Sequence, residues 1–152
     1  MLREQINESV KAAMRAQDKL RVATLRMVNA AIKNAEIEAE RVRKDLSEDD
    51  LLSLLQKLIK QRQESLEIYE RSGREDLASQ ERGEIGIIRE FLPQQLSEPE
   101  ARAAAASVIA ETGAQGMKDM GKVMAALKAN YAGRMDFAKA SALVKQLLSA
   151  NP

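Results

Sequence analysis

The residues most suited to binding chemistry are basic side chains in the C-terminal third of the chain. Lys118 and Lys122 are four residues apart, so a helix would place both on one face. Gly121 lies beside them, and its missing side chain would let the backbone of a ligand approach the helix closely. Lysine offers a compact positive charge with three hydrogen-bond donors, which suits phosphate groups. The spacing therefore predicts a phosphate-binding face.

Four further basic residues fall within the same two predicted helices, namely Lys128, Arg134, Lys139 and Lys145. Tyr131 and Phe137 are close to them in sequence and would offer a stacking surface for a base or a ribose. The same residues also fit a solvated basic face that covers an aromatic core. Both interpretations stay open on spacing alone.

Nucleotide and metal chemistry are not indicated. Residues 116–122 match the first seven positions of a P-loop, but Val123 occupies the eighth, where serine or threonine would bind magnesium. Carboxylate pairs such as Glu64 and Glu67 share a helical face, as the ligands of a di-iron bundle do. Such bundles also need histidine ligands, and the chain contains no histidine. We therefore expect neither a metal nor a cofactor.

Composition excludes several classes of enzyme. The chain has 152 residues, with no cysteine and no histidine, which excludes disulfides, Cys/His zinc sites, cysteine nucleophiles and serine–histidine relays. Catalysis would have to use carboxylates, lysines or hydroxyls, and no residue of these types is marked out as catalytic. The length also excludes a large multidomain enzyme.

The sequence predicts neither a membrane span nor an export signal. No apolar run approaches the roughly 18 residues that would suggest a membrane span, and the amino terminus lacks the basic and then apolar pattern of a signal peptide. The net charge of +1 does not indicate a class of binding partner. We expect a cytoplasmic protein without a membrane partner.

The predicted fold class is all-α. Alanine is frequent with 24 residues, aromatic residues make up only 3%, and β-branched residues are scattered, a composition that favours helices over strands. Apolar residues at helical spacing predict two long helices, over residues 19–44 and from Ser47 to Ser72. Because the connection between them is short, we predict a long antiparallel hairpin.

A domain boundary is predicted after Pro93, which ends a helix. Ser97 and Glu100 form a capping box there and begin a new helical unit. We predict an amino-terminal helical hairpin domain over residues 1–95 and a small three-helix bundle over residues 96–152. The predicted helices of the bundle cover residues 98–112, 117–131 and 137–149.

Charge is distributed unevenly along the chain. Residues 1–44 carry a net charge of +4 and residues 45–96 carry −5. From residue 117 onward the net charge is again +4. The positive excess of the C-terminal part is therefore concentrated in its last two predicted helices.

Several segments of the chain carry recognisable motifs. Residues 117–124 read MKDMGKVM and are followed by Gly133 and Arg134. Residues 25–27, 30–36, 73–77 and 91–97 add further motifs. Together these segments resemble the stand-alone YqeY branch of the GatB/YqeY family along essentially the whole chain.

The resemblance implies an all-helical protein whose C-terminal bundle is similar to the tail domain of the B subunit of aspartyl/glutamyl-tRNA amidotransferase, which contacts tRNA. It places Lys118, Gly121, Lys122 and Arg134 at or near an RNA-facing surface. The family keeps another lysine before Gly133, where this chain has residues 130–132. This departure would weaken or redirect affinity for RNA.

The resulting functional hypothesis is an accessory protein that binds tRNA or another structured RNA through a basic helical face. The predicted RNA-binding residues are Lys118, Gly121, Lys122, Lys128, Arg134 and Lys139. The family label implies carbon–nitrogen ligase activity with glutamine as amido-N-donor, but the resemblance covers a tail module, and we expect no catalysis by the chain alone. The alternatives are a protein-interaction adaptor for the translation or amidotransferase machinery, and an amidotransferase component that acts only within a complex.

Overall fold

The computed structural model describes residues 1–150 and is all-helical over that range, without a strand. It contains seven α-helices and one short 3₁₀ helix. The α-helices are α1 Leu2–Arg15, α2 Lys19–Arg41, α3 Glu48–Arg71, α4 Glu75–Arg89, α5 Glu98–Thr112, α6 Met120–Tyr131 and α7 Phe137–Ser149, and the 3₁₀ helix is Met117–Asp119. Within residues 1–150 no helix is long and apolar enough to cross a bilayer.

The chain forms two compact units, the first of which is Met1–Leu92. Its core comes from all four helices, and the completely buried side chains include Ile6, Leu25, Ile32, Leu55 and Ile88. These residues recur at helical spacing along their helices, so each helix presents one apolar stripe to the core.

The predicted hairpin of the two long helices is not confirmed, because α2 and α3 contact other helices more extensively than they contact each other. Helix α3 makes its most extensive contacts with α4, while α2 contacts α1 and α4 as well as α3. Helix α2 also ends at Arg41, earlier than predicted, because Arg43 adopts a positive φ of 54°. That conformation lets the Lys44 amide donate to the Ala39 carbonyl and closes the helix end.

The second unit begins at Pro93, slightly before the predicted start at residue 96. Helices α5, α6 and α7 each contact the other two, and their core is small and aliphatic. Its completely buried side chains include Val123, Leu127 and Val144. The capping box predicted at the start of α5 is present, since the Ser97 hydroxyl accepts from the Glu100 amide.

The region before α6 also differs from the prediction of one continuous helix from residue 117. Residues Met117–Asp119 form a 3₁₀ helix, and α6 begins only at Met120. The Asp119 carboxylate accepts from the Gln115 amide at 2.9 Å, which folds the preceding loop back onto the turn. Lys118 therefore lies in the turn before α6 rather than inside the helix.

Candidate nucleic-acid interface

Helix α6 buries one side and exposes a row of small residues on the other. Val123 and Leu127 are completely buried, whereas Gly121, Ala125 and Ala129 are all exposed. The three exposed residues recur every four positions, so they line one side of the helix. This row offers almost no side-chain bulk to an approaching molecule.

Lysines border this row on both sides. Lys122 and Lys128 are exposed, and their spacing of six residues separates them by about 120° around the helix. The row of small residues runs between them. Lys118 is exposed as well and extends the positive charge into the 3₁₀ helix. We call this surface the α6 face, made of Lys118, Gly121, Lys122, Ala125, Lys128 and Ala129.

The charges of the α6 face are not neutralised by neighbours. Within residues 1–150, Lys118, Lys122 and Lys128 take part in no ion pair. The nearest acid in the sequence, Asp119, uses its carboxylate to accept the Gln115 amide. Three lysine charges are therefore free to interact with a ligand.

Gly121 has no structural task that would require glycine. A Cβ atom built at this position meets no atom within 4 Å, and the backbone is ordinary helix. Gly121 is the second residue of α6, and glycine in a helix costs up to about 1 kcal/mol relative to alanine. The fold thus carries a local cost here that its own packing does not explain.

Arg134 is held by contacts within the second unit. Its Nε donates to the Gln94 carbonyl at 3.1 Å, and its guanidinium lies 5.9 Å from the centre of the Tyr131 ring. Its own carbonyl accepts from the Leu96 amide at 2.9 Å. A neighbouring contact joins the same two segments, because the Gln95 side-chain amide donates to the Gly133 carbonyl. Arg134 therefore fastens the segment before α5 to the loop before α7.

The two lysines of α7 lie on different sides of that helix. Lys139 and Lys145 are six residues apart, which separates them by about 120°. Lys139 lines a groove against the start of α5. Lys145 shares its side with Ser149, whose hydroxyl donates to the Met117 sulfur at 3.9 Å. Lys145, which was not among the predicted site residues, thus lies on the side of α7 that faces the 3₁₀ helix.

The aromatic residues do not contribute to the α6 face. Tyr131 and Phe137 are both half-buried and pack against the core of the second unit. Tyr131 is four residues after Leu127 and so turns toward the buried side of α6. This placement differs from the predicted stacking surface, and the α6 face offers positive charge without a stacking ring.

A model of the Yqey-like protein family matches residues 3–148. The chain belongs to the Yqey-like family. This membership confirms the resemblance that the sequence segments indicated. The residues of this Yqey-like chain predicted to bind RNA fall into three places. Gly121, Lys122 and Lys128 are exposed on α6, and Lys118 lies in the 3₁₀ helix directly before it. Arg134 lies in the loop before α7, and Lys139 lies in the groove beside α5.

Curated relatives from yeasts match part of this Yqey-like chain. The protein from Lachancea thermotolerans named "Altered inheritance of mitochondria protein 41, mitochondrial" is 43% identical over 89 residues, which are 59% of this chain and 46% of the relative. Proteins of the same name from Kluyveromyces lactis and Saccharomyces cerevisiae strain YJM789 are 40% and 35% identical over 57% and 56% of this chain. The matched region spans about half the length of these relatives.

The curated relatives contradict the predicted cellular location. The composition and the short apolar runs of the sequence predicted a cytoplasmic location, but the curated relatives are named as mitochondrial proteins. The prediction of a cytoplasmic location is therefore wrong. It failed because composition and apolar run length describe how a chain folds and do not report the compartment in which it works.

Proposed function

We propose that this chain is an RNA-binding accessory protein that holds structured RNA, and tRNA in particular, through the α6 face. The observation that carries the proposal is the combination of three lysines without ion pairs and an exposed glycine that the fold does not require. Lysines contact phosphates as point charges, and a surface of small residues lets the RNA backbone approach the helix itself. The lack of a stacking ring on the α6 face favours recognition of folded RNA by backbone and shape.

The two units have different roles in this proposal. The second unit acts as a small three-helix bundle of the tail-domain type and binds the RNA, while the amino-terminal domain with its long helices offers a separate surface. The family resemblance supports an association with glutamine-dependent tRNA amidotransferase and with translation. The transfer of the amide nitrogen is assigned to an associated enzyme, because no residue of this chain stands out as a nucleophile.

Loss of two lysines from the α6 face tests the proposal most directly. We expect Lys118→Ala/Lys122→Ala to weaken tRNA binding and to reduce the slope of log K against log salt by about 1.4 to 1.8, because each lost phosphate contact contributes about 0.7 to 0.9. The measurement is fluorescence anisotropy of the full chain with total tRNA over a series of salt concentrations.

A matched control removes the same amount of charge elsewhere. Lys57 and Lys60 are exposed on α3, and Lys57→Ala/Lys60→Ala should leave the slope unchanged. If both double variants reduced the slope equally, tRNA binding would depend only on net charge. That result would contradict the α6 face as the binding surface. Absence of tRNA binding near physiological salt would contradict the proposed function as a whole.

Gly121→Ala should separate stability from binding. Because a Cβ at Gly121 meets nothing within 4 Å, we expect the variant to be more stable by about 0.5 to 1 kcal/mol. The added methyl group projects toward the ligand side, so tRNA affinity should fall by several fold. The measurements are thermal unfolding and the same tRNA titration.

Gly86 provides the control for this substitution. It lies exposed in α4 of the first unit, and a Cβ there also meets nothing within 4 Å. Gly86→Ala should bring a similar stabilisation and leave tRNA affinity unchanged. If Gly121→Ala stabilised the chain and bound tRNA as well as the original, close approach of RNA at Gly121 would be disproved.

A further inference from the structure

A groove in the second unit lies away from the row of small residues on α6. It has a volume of about 620 Å³ and runs between the first turn of α5 and the N-terminal half of α7. This volume falls within the range of ligand-binding clefts in proteins. Its floor is made of apolar residues that are buried or half-buried, namely Leu96, Ala101, Ala140 and Leu143, with the exposed Pro99 beside them.

The rim of the groove carries charges of both signs. Arg102 and Lys139 are exposed on it, as are Glu98 and Asp136. Within residues 1–150 neither Arg102 nor Lys139 takes part in an ion pair. Part of the negative charge is already engaged, because the Asp136 carboxylate caps α7 and accepts from the Ala138 amide at 2.9 Å.

This pattern of charge decides between two kinds of occupant. A nucleic acid presents phosphates at every step and would meet the carboxylates of Glu98 and Asp136 as well as the two cations. A polypeptide can place a carboxylate against Arg102 and Lys139 and an ammonium group against Glu98. The apolar floor adds a second requirement that a phosphate backbone does not meet, since only apolar side chains gain from burial there.

We propose that this groove binds an amphipathic helix of a partner protein. From Asp136 to Leu143 the groove follows α7 over about 10 Å, which corresponds to about two turns of helix. Such a helix would bury apolar residues at positions i, i+3 or i+4, and i+7. It would carry carboxylates on the side of Arg102 and Lys139 and a basic residue beside Glu98. Lys139 is thereby a protein-binding residue rather than an RNA-binding one.

The test uses the full chain and a library of random 16-residue peptides displayed on phage. Peptides enriched on the original chain should be amphipathic, and their affinity should fall by about tenfold for Arg102→Glu/Lys139→Glu. Replacing the carboxylates of an enriched peptide with lysines should restore binding to that variant. The control Lys57→Glu/Lys60→Glu changes the net charge equally and should bind the original peptide normally.

Three results would overturn the proposal. The first is that no peptide is enriched on the original chain over Ala101→Glu/Leu143→Glu, in which the floor of the groove is charged. The second is that enriched peptides bind the charge-reversed and control variants equally. The third is that Arg102→Glu/Lys139→Glu weakens tRNA binding more than the control does, which would assign the groove to RNA. The groove and the α6 face use different residues, so failure of one assignment leaves the other to be judged by its own titration.

Discussion

Replacing Leu127 with alanine is expected to lower the free energy of unfolding of the second unit by about 3 kcal/mol. Leu127 is completely buried between α6 and its neighbours, and the substitution removes its apolar contacts and leaves a cavity. A unit of this size has a small core and a stability of only several kcal/mol. The loss would leave α5, α6 and α7 close to unfolding at physiological temperature.

Hydrogen exchange followed by mass spectrometry measures this effect along the chain. Peptides from α5 to α7 should lose about 100-fold in protection, and peptides from α1 to α4 should change little, because the two units have separate cores. Leu55→Ala, at a completely buried position of α3, should give the reverse pattern. Loss of protection throughout the chain in both variants would show one cooperative unit and contradict the proposed division into two domains.

The bounds of most helices could be predicted from the sequence because they depend on local capping signals. The bounds of α5 and α7 agree with the predictions, since Ser97 and Asp136 cap their starts and Gly113 ends α5 with a positive φ. The start of α6 was wrong by three residues. There the 3₁₀ helix depends on the Asp119 contact to Gln115 and on packing against α7, which the local pattern does not contain.

The candidate site was predicted only in part. Gly121 and Lys122 lie on the exposed side of α6, as the predicted helix indicated, whereas Lys118 lies in the 3₁₀ helix before it. The placement of Arg134 depends on Gln94, forty residues earlier. The side of α7 occupied by Lys139 depends on where α5 packs. Contacts between distant segments leave no periodic signal, so the sequence did not indicate the contacts that surround these two residues.

Replacing Arg62 with methionine is expected to destabilise the first unit by about 2 to 3 kcal/mol, somewhat less than the loss of a fully buried pair. Arg62 donates to the Glu84 carboxylate at 3.1 Å, and the two side chains are only 17% and 16% exposed. It also donates to the Leu58 carbonyl at 3.0 Å. The variant would leave Glu84 mostly buried with the Gln80 side chain as its remaining donor.

Two further variants test whether the loss of stability depends on the burial of the ion pair or on the number of ion pairs. Arg82 contacts both Glu70 and Glu75, but its side chain is 45% exposed, so Arg82→Met should cost much less stability than Arg62→Met. Arg62→Met/Glu84→Leu should recover most of the stability lost in Arg62→Met, because Glu84 is no longer left buried without its cationic partner. Urea unfolding of the three variants measures these differences. A larger loss for Arg82→Met than for Arg62→Met would refute the dependence on burial.

The charges of Arg62, Glu84 and the nearby Glu81 also predict how stability depends on pH. Burial raises the pKa of Glu81 above its ordinary value of 4.5, and the nearby charge of Glu84 raises it further, while Arg62 opposes the shift. At Glu81 the native state therefore binds more protons than the unfolded state between 4.5 and the raised pKa, so the contribution of Glu81 to stability falls as pH rises through that interval. Arg62→Met removes the opposing charge and should widen and steepen this fall. Urea unfolding of the original chain and Arg62→Met from pH 4 to pH 7 would measure it, and identical profiles would exclude electrostatic coupling between Arg62 and Glu81.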